Sequence, residues 1–310
     1  MLELIDLTKK YSDKIVVDGL SLKARQGEIV GLLGPNGAGK STTVSIISTI
    51  LAPDSGEIWV DQQLLKPSSC EVRRIMGIVP QELALYEALS AMDNLEFFGT
   101  LYGMSGNVLK DRAREVLELM GLYDKRHQSI QEFSGGMKRR INMGIALMHN
   151  PKLLILDEPT VGIDPQSRNH ILETVKGLKR EFGTTVIYTT HYMEEVEYLC
   201  DRVAIMDHGK LIAYGTKEEL QKSSEALDTL TLAFQPTGQE YTEDAAQIPG
   251  IAKITMDKNE MSLLVDPKEG NVIEILDQLR YLGIQLTSFQ YEKVNLEQVF
   301  LQLTGKSLRD

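Results

Sequence analysis

The nine residues GPNGAGKST (34–42) constrain the fold more than any other part of the chain. An almost wholly apolar run, EIVGLLG, leads into them, and the helical pattern STTVSIISTIL continues from their end. A buried strand, a glycine-rich loop ending in Lys and Ser or Thr, and a helix are the context in which such a loop binds phosphate. A glycine-rich turn without a ligand is the alternative, and this context disfavours it. The sequence therefore predicts a nucleoside triphosphate site.

The residue types of the loop suggest how it would hold phosphate. Glycines let backbone N–H groups surround phosphate oxygens, and the helix N-terminus adds partial positive charge. Lys40 is long enough to reach the β- and γ-phosphates, and the Ser41 hydroxyl can ligate Mg²⁺. The predicted phosphate-binding set is Gly34, Pro35, Asn36, Gly37, Ala38, Gly39, Lys40, Ser41 and Thr42.

A second apolar run, LLILDEP, ends in two carboxylates, Asp157 and Glu158. In an open α/β sheet the carboxyl end of a buried strand faces the ligand. At that position Asp157 could bind Mg²⁺ indirectly, and Glu158 could act as the general base that polarises an attacking water. A solvated acidic turn is the alternative. Together with the loop at Gly34, however, the two carboxylates favour a hydrolase over a protein that only binds nucleotide.

The segment EFSGGMKRR (132–140) lies between these two motifs and opens a helix. Ser134 is a suitable N-cap, and Gly135 and Gly136 permit close backbone approach, so this helix end is a second candidate phosphate site. A straight helix over 136–148 would be ~18 Å long at ~1.5 Å per residue, and it would carry Ser134 away from the Asp157 strand. We therefore expect Ser134 to serve the site of a second copy of the chain.

The rest of the pattern predicts two domains. In residues 1–216, short strands come first and strands then alternate with helices, which predicts parallel α/β layers, with a helical block at about 85–150 inserted as a subdomain. Thr216 and Glu219 have the spacing of a capping box, which predicts a helical linker over 217–228. Residues 229–310 predict a small α+β domain of ferredoxin-like type, with a hairpin at Lys258 and Asn259.

The charge balance excludes some functions. The 310 residues include 33 basic and 44 acidic side chains, a net charge of −11, and the acidity is concentrated in the last third, so the surface is not suited to coating nucleic acid or anionic lipid. The longest apolar stretches fall below the ~18 residues that cross a bilayer. The N-terminus lacks the features of a signal peptide, and Cys70 and Cys200 are too few for a disulfide framework. We expect a cytoplasmic chain.

Five motifs follow one another within residues 1–216: GPNGAGKST, FSGGM, LLILDEP, VGIDP and TTH. In this order they resemble the motifs of the ATP-binding subunits of ABC transporters. The FSGG motif separates this family from other ATPases with the same loop. The resemblance implies a P-loop NTPase fold with a RecA-like core, an antiparallel β subdomain and an inserted helical subdomain, and it implies ATP and Mg²⁺ as cofactors. The pattern departs from the commonest form at Phe133, at Met137 and in VGID. Any contact made by a Gln at position 137 is therefore absent.

The resemblance also implies roles for single residues. Tyr11 would stack on adenine, although a surface tyrosine beside Lys9 and Lys10 fits nearly as well. Gln81 would contact Mg²⁺ and the attacking water, and His191 would contact the γ-phosphate. The implied catalytic residues are Lys40, Glu158 and His191, and the implied metal ligands are Ser41, Gln81 and Asp157.

The implied partners are a second copy of the chain and a separate polytopic membrane permease, with no nucleic acid. Asp164 would communicate across the dimer, while Ser134, Gly135 and Gly136 would clamp the γ-phosphate bound by the other copy. The closing YEKVNLEQVFLQLTG resembles the daunorubicin-resistance branch, which implies an exporter of drugs, antibiotics or lipid-like molecules and a place at the inner face of the membrane. An acidic regulatory or dimerising module is the alternative for this last domain.

Two rival functions fit the phosphate-binding loop alone. A soluble ATPase of the same superfamily, acting in DNA repair, translation or iron–sulfur assembly, would need no membrane partner. The sequence lacks the long coiled-coil insertion of the DNA-repair ATPases and the second ATPase cassette usual in the translational ATPases. Its net negative charge also disfavours binding to nucleic acid. A kinase would use the same loop but would not explain FSGGM.

Overall fold

The computed structural model describes residues 1–66, 68–223, 227–235, 242–266 and 268–305. The chain divides into two compact units, Met1–Lys217 and a second unit that begins at Glu218. Across the described ranges, no helix combines the length and the apolar character that crossing a bilayer requires.

The first unit contains most of the regular structure. Its strands are β1 (Leu2–Tyr11), β2 (Lys14–Ala24), β3 (Ile29–Leu33), β4 (Ser55–Val60), β5 (Gln63–Leu64), β6 (Met76–Val79), β7 (Leu153–Asp157), β8 (Thr185–Thr190), β9 (Arg202–Asp207) and β10 (Lys210–Thr216). Its helices are α1 (Lys40–Ile47), α2 (Cys70–Arg74), α3 (Ala91–Leu101), α4 (Gly106–Leu119), α5 (Gly135–Leu147), α6 (Pro165–Phe182) and α7 (Met193–Leu199).

A six-stranded sheet in the order β10-β9-β3-β8-β7-β6 forms the core of this unit. All neighbours except β10 and β9 pair in parallel. Every residue of β3, β7 and β8 is buried, as expected of parallel strands covered on both faces. The predicted α/β fold with a buried parallel sheet is therefore confirmed.

The register of this sheet brings three sequence motifs to one edge. Leu33 at the end of β3 pairs with Thr190 at the end of β8, and Asp157 at the end of β7 pairs with Thr189. Residues that follow these strands consequently lie at neighbouring carboxyl ends, where ligands bind in open α/β sheets.

A second, antiparallel sheet runs in the order β2-β1-β4-β5. Leu4, Leu20 and Val60 from this sheet share one apolar core with Ile46 of α1 and Leu32 of the parallel sheet. This core fixes the start of α1, and with it the glycine-rich loop, between the two sheets.

The helical block lies between β6 and β7 in the chain and consists mainly of α3, α4 and α5. Ser90 begins α3 with a capping box to Asp93. Gly144 on α5 lets α4 approach closely, because a Cβ there would lie 2.9 Å from Cγ1 of Val116. The sequence pattern does not single out β6, since its four residues, MGIV, are too few to show a period.

The second unit has its own sheet and core. Helix α8 (Lys217–Ser223) begins at the boundary, and the elements after it are β11 (Asp228–Phe234), α9 (Thr242–Ala245), β12 (Ile251–Asp257), β13 (Glu260–Val265), α10 (Val272–Tyr281), β14 (Leu286–Glu292) and α11 (Leu296–Thr304). The sheet is antiparallel in the order β12-β13-β11-β14, and Leu230, Leu263 and Leu279 pack at its core. The order β–α–β–β–α–β is that of the ferredoxin-like motif.

The boundary region differs in detail from the expected linker over 217–228. Its helix ends at Ser223, and β11 already begins at Asp228. Residues 224–226 of that linker, like residues 306–310 of the last predicted domain, lie outside the described part of the chain.

Candidate functional site

The glycine-rich loop between β3 and α1 takes a backbone path that only glycine permits at key points. A Cβ on Gly34 would lie 2.4 Å from the carbonyl oxygen of Met206. Gly39 has a φ of +103°, and its Cβ would lie 2.6 Å from the carbonyl oxygen of Val16. Any side chain at these two positions would push the loop away from β9 and β2, so these glycines fix the loop against its neighbours.

Lys40 at the start of α1 is almost completely buried. Its Nζ donates hydrogen bonds to the carbonyl oxygens of Gly34 at 2.8 Å and Pro35 at 3.1 Å, and it lies 3.6 Å from Oε1 of Glu158. Burial lowers the pKa of Lys40, while the charge of Glu158 acts in the opposite direction. The ammonium group thus points into the loop that the sequence predicts to bind phosphate.

A chain of hydroxyl groups holds Asp157 at the end of β7. The Thr189 hydroxyl donates to Oδ1 of Asp157 at 2.6 Å, and the Ser41 hydroxyl donates to the same oxygen at 3.3 Å. Burial raises the pKa of Asp157, and these two hydrogen bonds oppose that rise. Ser41 and Asp157, predicted from separate motifs, are therefore in contact.

Glu158 is the residue on which the site converges. Gln81 donates from Nε2 to Oε2 of Glu158 at 3.2 Å, and Nδ1 of His191 lies 3.4 Å from Oε1. The backbone of Glu158 has a φ of +45°, in a region that non-glycine residues rarely adopt, and its N–H donates to the Thr189 hydroxyl at 2.9 Å. This conformation turns the carboxylate toward Lys40, Gln81 and His191.

A cavity of about 180 Å³ opens beside these residues. Its lining consists of Val16, Asn36, Gly37, Gly39, Lys40, Ser41, Thr42, Gln81 and Glu158. A larger cavity of about 710 Å³ lies where β7 and β8 begin, at the opposite end of the sheet, and none of the predicted site residues lines it. The chemistry of the residues, not the size of the cavity, therefore identifies the candidate site.

Among the predicted residues that do not line the smaller cavity are Tyr11, Ser134 and Asp164. Tyr11 lies at the end of β1, about half exposed, and pairs in register with Lys14. Ser134 begins α5 as its N-cap and accepts a hydrogen bond from the N–H of Met137 at 3.3 Å. Asp164 begins α6 as its N-cap and accepts one from the N–H of Ser167 at 2.9 Å, which lowers its pKa. Their roles toward nucleotide stay predictions.

The two glycines after Ser134 differ in their surroundings. A Cβ on Gly136 would lie 2.1 Å from Oγ of Ser167 and 2.6 Å from Oδ2 of Asp164, so this glycine allows α5 to pack on α6 within one chain. A Cβ on Gly135 would meet nothing within 4 Å. Close approach by another molecule is therefore open at Gly135, whereas at Gly136 the space is already taken.

The donor atoms near Ser41 fit Mg²⁺ in the presence of phosphate. Among the described residues, no three His, Cys, Asp or Glu side chains lie together as a metal cage. Mg²⁺ is usually held by one or two carboxylates together with substrate phosphates, and a hydroxyl and a carboxylate oxygen 3.3 Å apart, in Ser41 and Asp157, match that requirement.

Sequence motifs alone do not identify three residues near the site. Thr189 binds both Asp157 and the backbone of Glu158, and its signal is a hydroxyl in a fully buried strand, which must find a partner. Arg139 and Asn142 on α5 bind the backbone on either side of Gln81. Nothing in the sequence around Arg139 or Asn142 indicates that these side chains bind the backbone beside Gln81.

Comparison with known proteins gives three findings. The family model described as "ABC transporter" matches residues 17–161. The chain is 47% identical to the linearmycin resistance ATP-binding protein LnrL of Bacillus subtilis strain 168, over 100% of both chains. It is 37% identical to the daunorubicin/doxorubicin resistance ATP-binding protein DrrA of Streptomyces peucetius, over 100% of this chain and 94% of that one.

A solved structure extends these findings to the fold. It is a dimeric ATP-binding cassette in a post-hydrolysis state, bound to ADP and Pi. The match has a TM-score of 0.64 and 28% identity, and covers 70% of this chain and 98% of that one.

Proposed function

The chain belongs to the ATP-binding subunits of ABC transporters, and on that premise we propose that it powers the export of an antibiotic or a similar amphiphilic molecule through a separate membrane permease. It is an ATP-hydrolysing enzyme. Similarity to two antibiotic-resistance proteins along the whole chain supports the export of such compounds. Resistance through an ATP-driven transporter requires that the compound leave the cell. A soluble ATPase and a kinase have no support from the comparisons.

The observation that carries the proposed mechanism is the meeting of Lys40, Gln81 and His191 at the carboxylate of Glu158. ATP would lie with its phosphates in the loop at 34–42, where Lys40 exchanges a carbonyl or carboxylate partner for phosphate oxygen. Glu158 would accept a proton from the attacking water. As the water oxygen bonds to the γ-phosphorus, the bond to the bridging oxygen of ADP breaks, and phosphate leaves.

The other residues of the site would orient the reacting groups. Gln81 binds one carboxylate oxygen of Glu158 and His191 lies beside the other, so both would fix the base relative to water and γ-phosphate. Ser41, Asp157 and Gln81 would hold Mg²⁺, which when bound neutralises charge on the phosphate oxygens. Tyr11 would stack on adenine.

We further propose that two copies bind two ATP molecules in their interface. Ser134 would contact the γ-phosphate held by the other copy, and the open surface at Gly135 supports such an approach. Asp164 lies against the same helix end through Gly136 and would sense the same contact. The similar solved cassette is dimeric, which supports this arrangement.

The permease would dock on the helical block. An aromatic cluster, defined here as Tyr86, Phe97 and Phe98, lies in the segment after Gln81, with ring centroids 4.9 Å apart for Tyr86 and Phe97 and 5.4 Å apart for Phe97 and Phe98. Tyr86 and Phe97 are 50% and 40% exposed. Exposed aromatic residues close together mark a surface that binds another protein. Docking there would hold the chain at the inner face of the membrane.

Drug efflux from cells provides the test. Cells producing the chain with its permease are loaded with daunorubicin or with linearmycin, and intracellular drug is followed after glucose is added. We expect efflux with the native chain and none with Glu158→Gln. If cells with the native chain and cells with Glu158→Gln retained both compounds equally, export of such compounds would be rejected. Phosphate release by the purified complex would measure the ATPase activity independently of that result.

A further inference from the structure

Helix α5 binds the backbone on both sides of Gln81. Nη1 of Arg139 donates to the carbonyl oxygen of Pro80 at 2.9 Å. Three residues further along the same helix, Oδ1 of Asn142 accepts a hydrogen bond from the N–H of Ala84 at 3.1 Å. Residues three apart lie on the same face of a helix, so a single face of α5 holds the loop that carries Gln81.

Both side chains are buried, which makes them costly residues for this position. Arg139 is 6% exposed and Asn142 is 2% exposed. Burial lowers the pKa of Arg139, and the nearby charge of Asp157 partly offsets that effect. Apolar residues would pack α5 without removing a guanidinium and an amide from water. A purely structural role therefore explains these two residues poorly.

The loop bound by Arg139 and Asn142 contacts Glu158, the proposed base. Gln81, between the two attachment points, donates to Oε2 of Glu158 at 3.2 Å. Ser134, the N-cap of the same helix, precedes Arg139 by five residues. A continuous hydrogen-bonded helix moves as a rigid element, so a displacement of Ser134 would also displace Pro80 and Ala84.

We propose that Arg139 and Asn142 are positioning residues that hold Gln81 against Glu158 and transmit to it the contact that Ser134 makes with ATP on the other copy. This inference rests on the proposed two-copy arrangement. In each chain, α5 would link the ATP held by the partner to the catalytic carboxylate of the chain's own site. The two sites of the dimer would then favour each other's turnover.

The first experiment measures whether Arg139 acts through Gln81. Steady-state ATPase activity of the full chain with its permease is compared for Arg139→Met, Gln81→Ala and the double variant. We expect each single change to lower kcat by about 10- to 100-fold with little effect on KM, because it misplaces a group in the reacting site. We expect the double variant to be no slower than Gln81→Ala. Multiplying effects would overturn the proposal.

Matched variants separate positioning from folding. Arg112→Met serves as the control, because Arg112 binds the carbonyl oxygens of Leu147 and Met148 within the helical block, away from Gln81. It should keep native kcat. Asn142→Leu should lower kcat by a similar factor of about 10 to 100 and leave measurable turnover, whereas Asn142→Asp keeps an acceptor oxygen for Ala84 and should retain most of the native kcat. Equal loss in Asn142→Asp and Asn142→Leu, or in Arg112→Met and Arg139→Met, would contradict a positioning role.

The second experiment measures the link between copies. The dependence of turnover on ATP concentration should give a Hill coefficient above 1 for the native complex and about 1 for Asn142→Leu, since its two sites would no longer communicate. A coefficient of 1 in the native complex would overturn the transmission step. Absence of any ATPase activity in that complex would instead reject the proposed function itself, so the two failures are distinguishable.

Discussion

Oε1 of Glu158 lies 3.6 Å from Nζ of Lys40, in a buried ion pair that joins the end of β7 to the start of α1. Lys40 also binds two loop carbonyl oxygens, so its charge remains solvated by the loop when the carboxylate is lost. The pair therefore permits a substitution that removes the base and retains the phosphate-binding lysine.

Glu158→Gln should abolish turnover and preserve nucleotide binding. The amide keeps the size of the side chain but cannot accept the proton from water, so we expect phosphate release to fall by at least about 100-fold. Binding of ATP should be as tight or tighter, because Lys40 loses its competing anion. Equilibrium binding and size-exclusion chromatography with ATP should report a stable dimer. Turnover near the native rate would show that another residue is the base.

Mixing two inactive variants should restore part of the activity if the sites are shared. Lys40→Ala disables the loop of one copy, and Ser134→Ala disables the helix end of the other. In their mixed dimer one site contains both defects and the other contains none, so random pairing should yield roughly a quarter of native turnover. A mixture as inactive as either parent would mean that Ser134 does not serve the second copy.

Thr189→Val should weaken both the fold and the reaction. The change leaves the N–H of Glu158 and a carboxylate oxygen of Asp157 without the hydroxyl that binds them, and an unsatisfied buried group costs about 1–3 kcal/mol of unfolding free energy. Urea unfolding measures this loss, and phosphate release should fall with it.

Thr174→Val is the matched control for Thr189. Its hydroxyl donates to the carbonyl oxygen of His170 within α6, an oxygen that can keep its helical partner. We expect native turnover and a stability change below about 1 kcal/mol. If both valine variants lose turnover equally, Thr189 has no special part in the site.

Cys200 should resist thiol reagents at neutral and mildly alkaline pH. Burial raises the pKa of Cys200 to about 12, so the folded chain carries almost no thiolate there, whereas Cys70 is exposed. The native chain should show one fast-reacting thiol, and Cys70→Ser should show none.

The same pKa has a consequence for stability. Because the folded pKa of about 12 exceeds the unfolded value near ~8.5, the stability that Cys200 contributes is present below pH ~8.5 and is lost as the pH rises toward 12. Unfolding free energy should fall less steeply between these pH values in Cys200→Ala. An equal slope would contradict the buried, protonated thiol.

The aromatic cluster should contribute to permease binding and not to ATP binding. Phe97→Ser should reduce recovery of the chain with membranes that contain the permease, while affinity for ATP stays native. Phe182→Ser is the control, because Phe182 is 67% exposed in the same unit but lies at the end of α6. Equal loss of recovery in both variants would remove the case for docking at the cluster.

Local sequence patterns predicted much of the fold. The apolar run before Gly34 and the helical pattern after Lys40 predicted β3 and α1, and the capping residue Ser134 predicted the start of α5. The short strand β6 lacked any period of its own, because its place depends on pairing with β7 across the sheet.

The same distinction holds for the candidate site. Residues within motifs, such as Lys40 and Glu158, follow from the chemistry that their spacing suggests. Thr189, Arg139 and Asn142 act on backbone or side chains far away in the sequence, and only the folded chain brings these partners together. The buried hydroxyl of Thr189 indicates only that it needs a partner, and nothing in the local sequence indicates which partner any of the three residues binds.

Gly136 on α5 packs closely against Ser167 on α6. Because no Cβ fits between α5 and α6, the helix starts that carry Ser134 and Asp164 pack closely, and we expect them to move together. Contact of Ser134 with the nucleotide of the other copy and the response of Asp164 to that contact would then occur together. Substitutions on the outer surface of the two helices could change how tightly the nucleotide is contacted, but only replacement of Gly136 would uncouple Ser134 from Asp164.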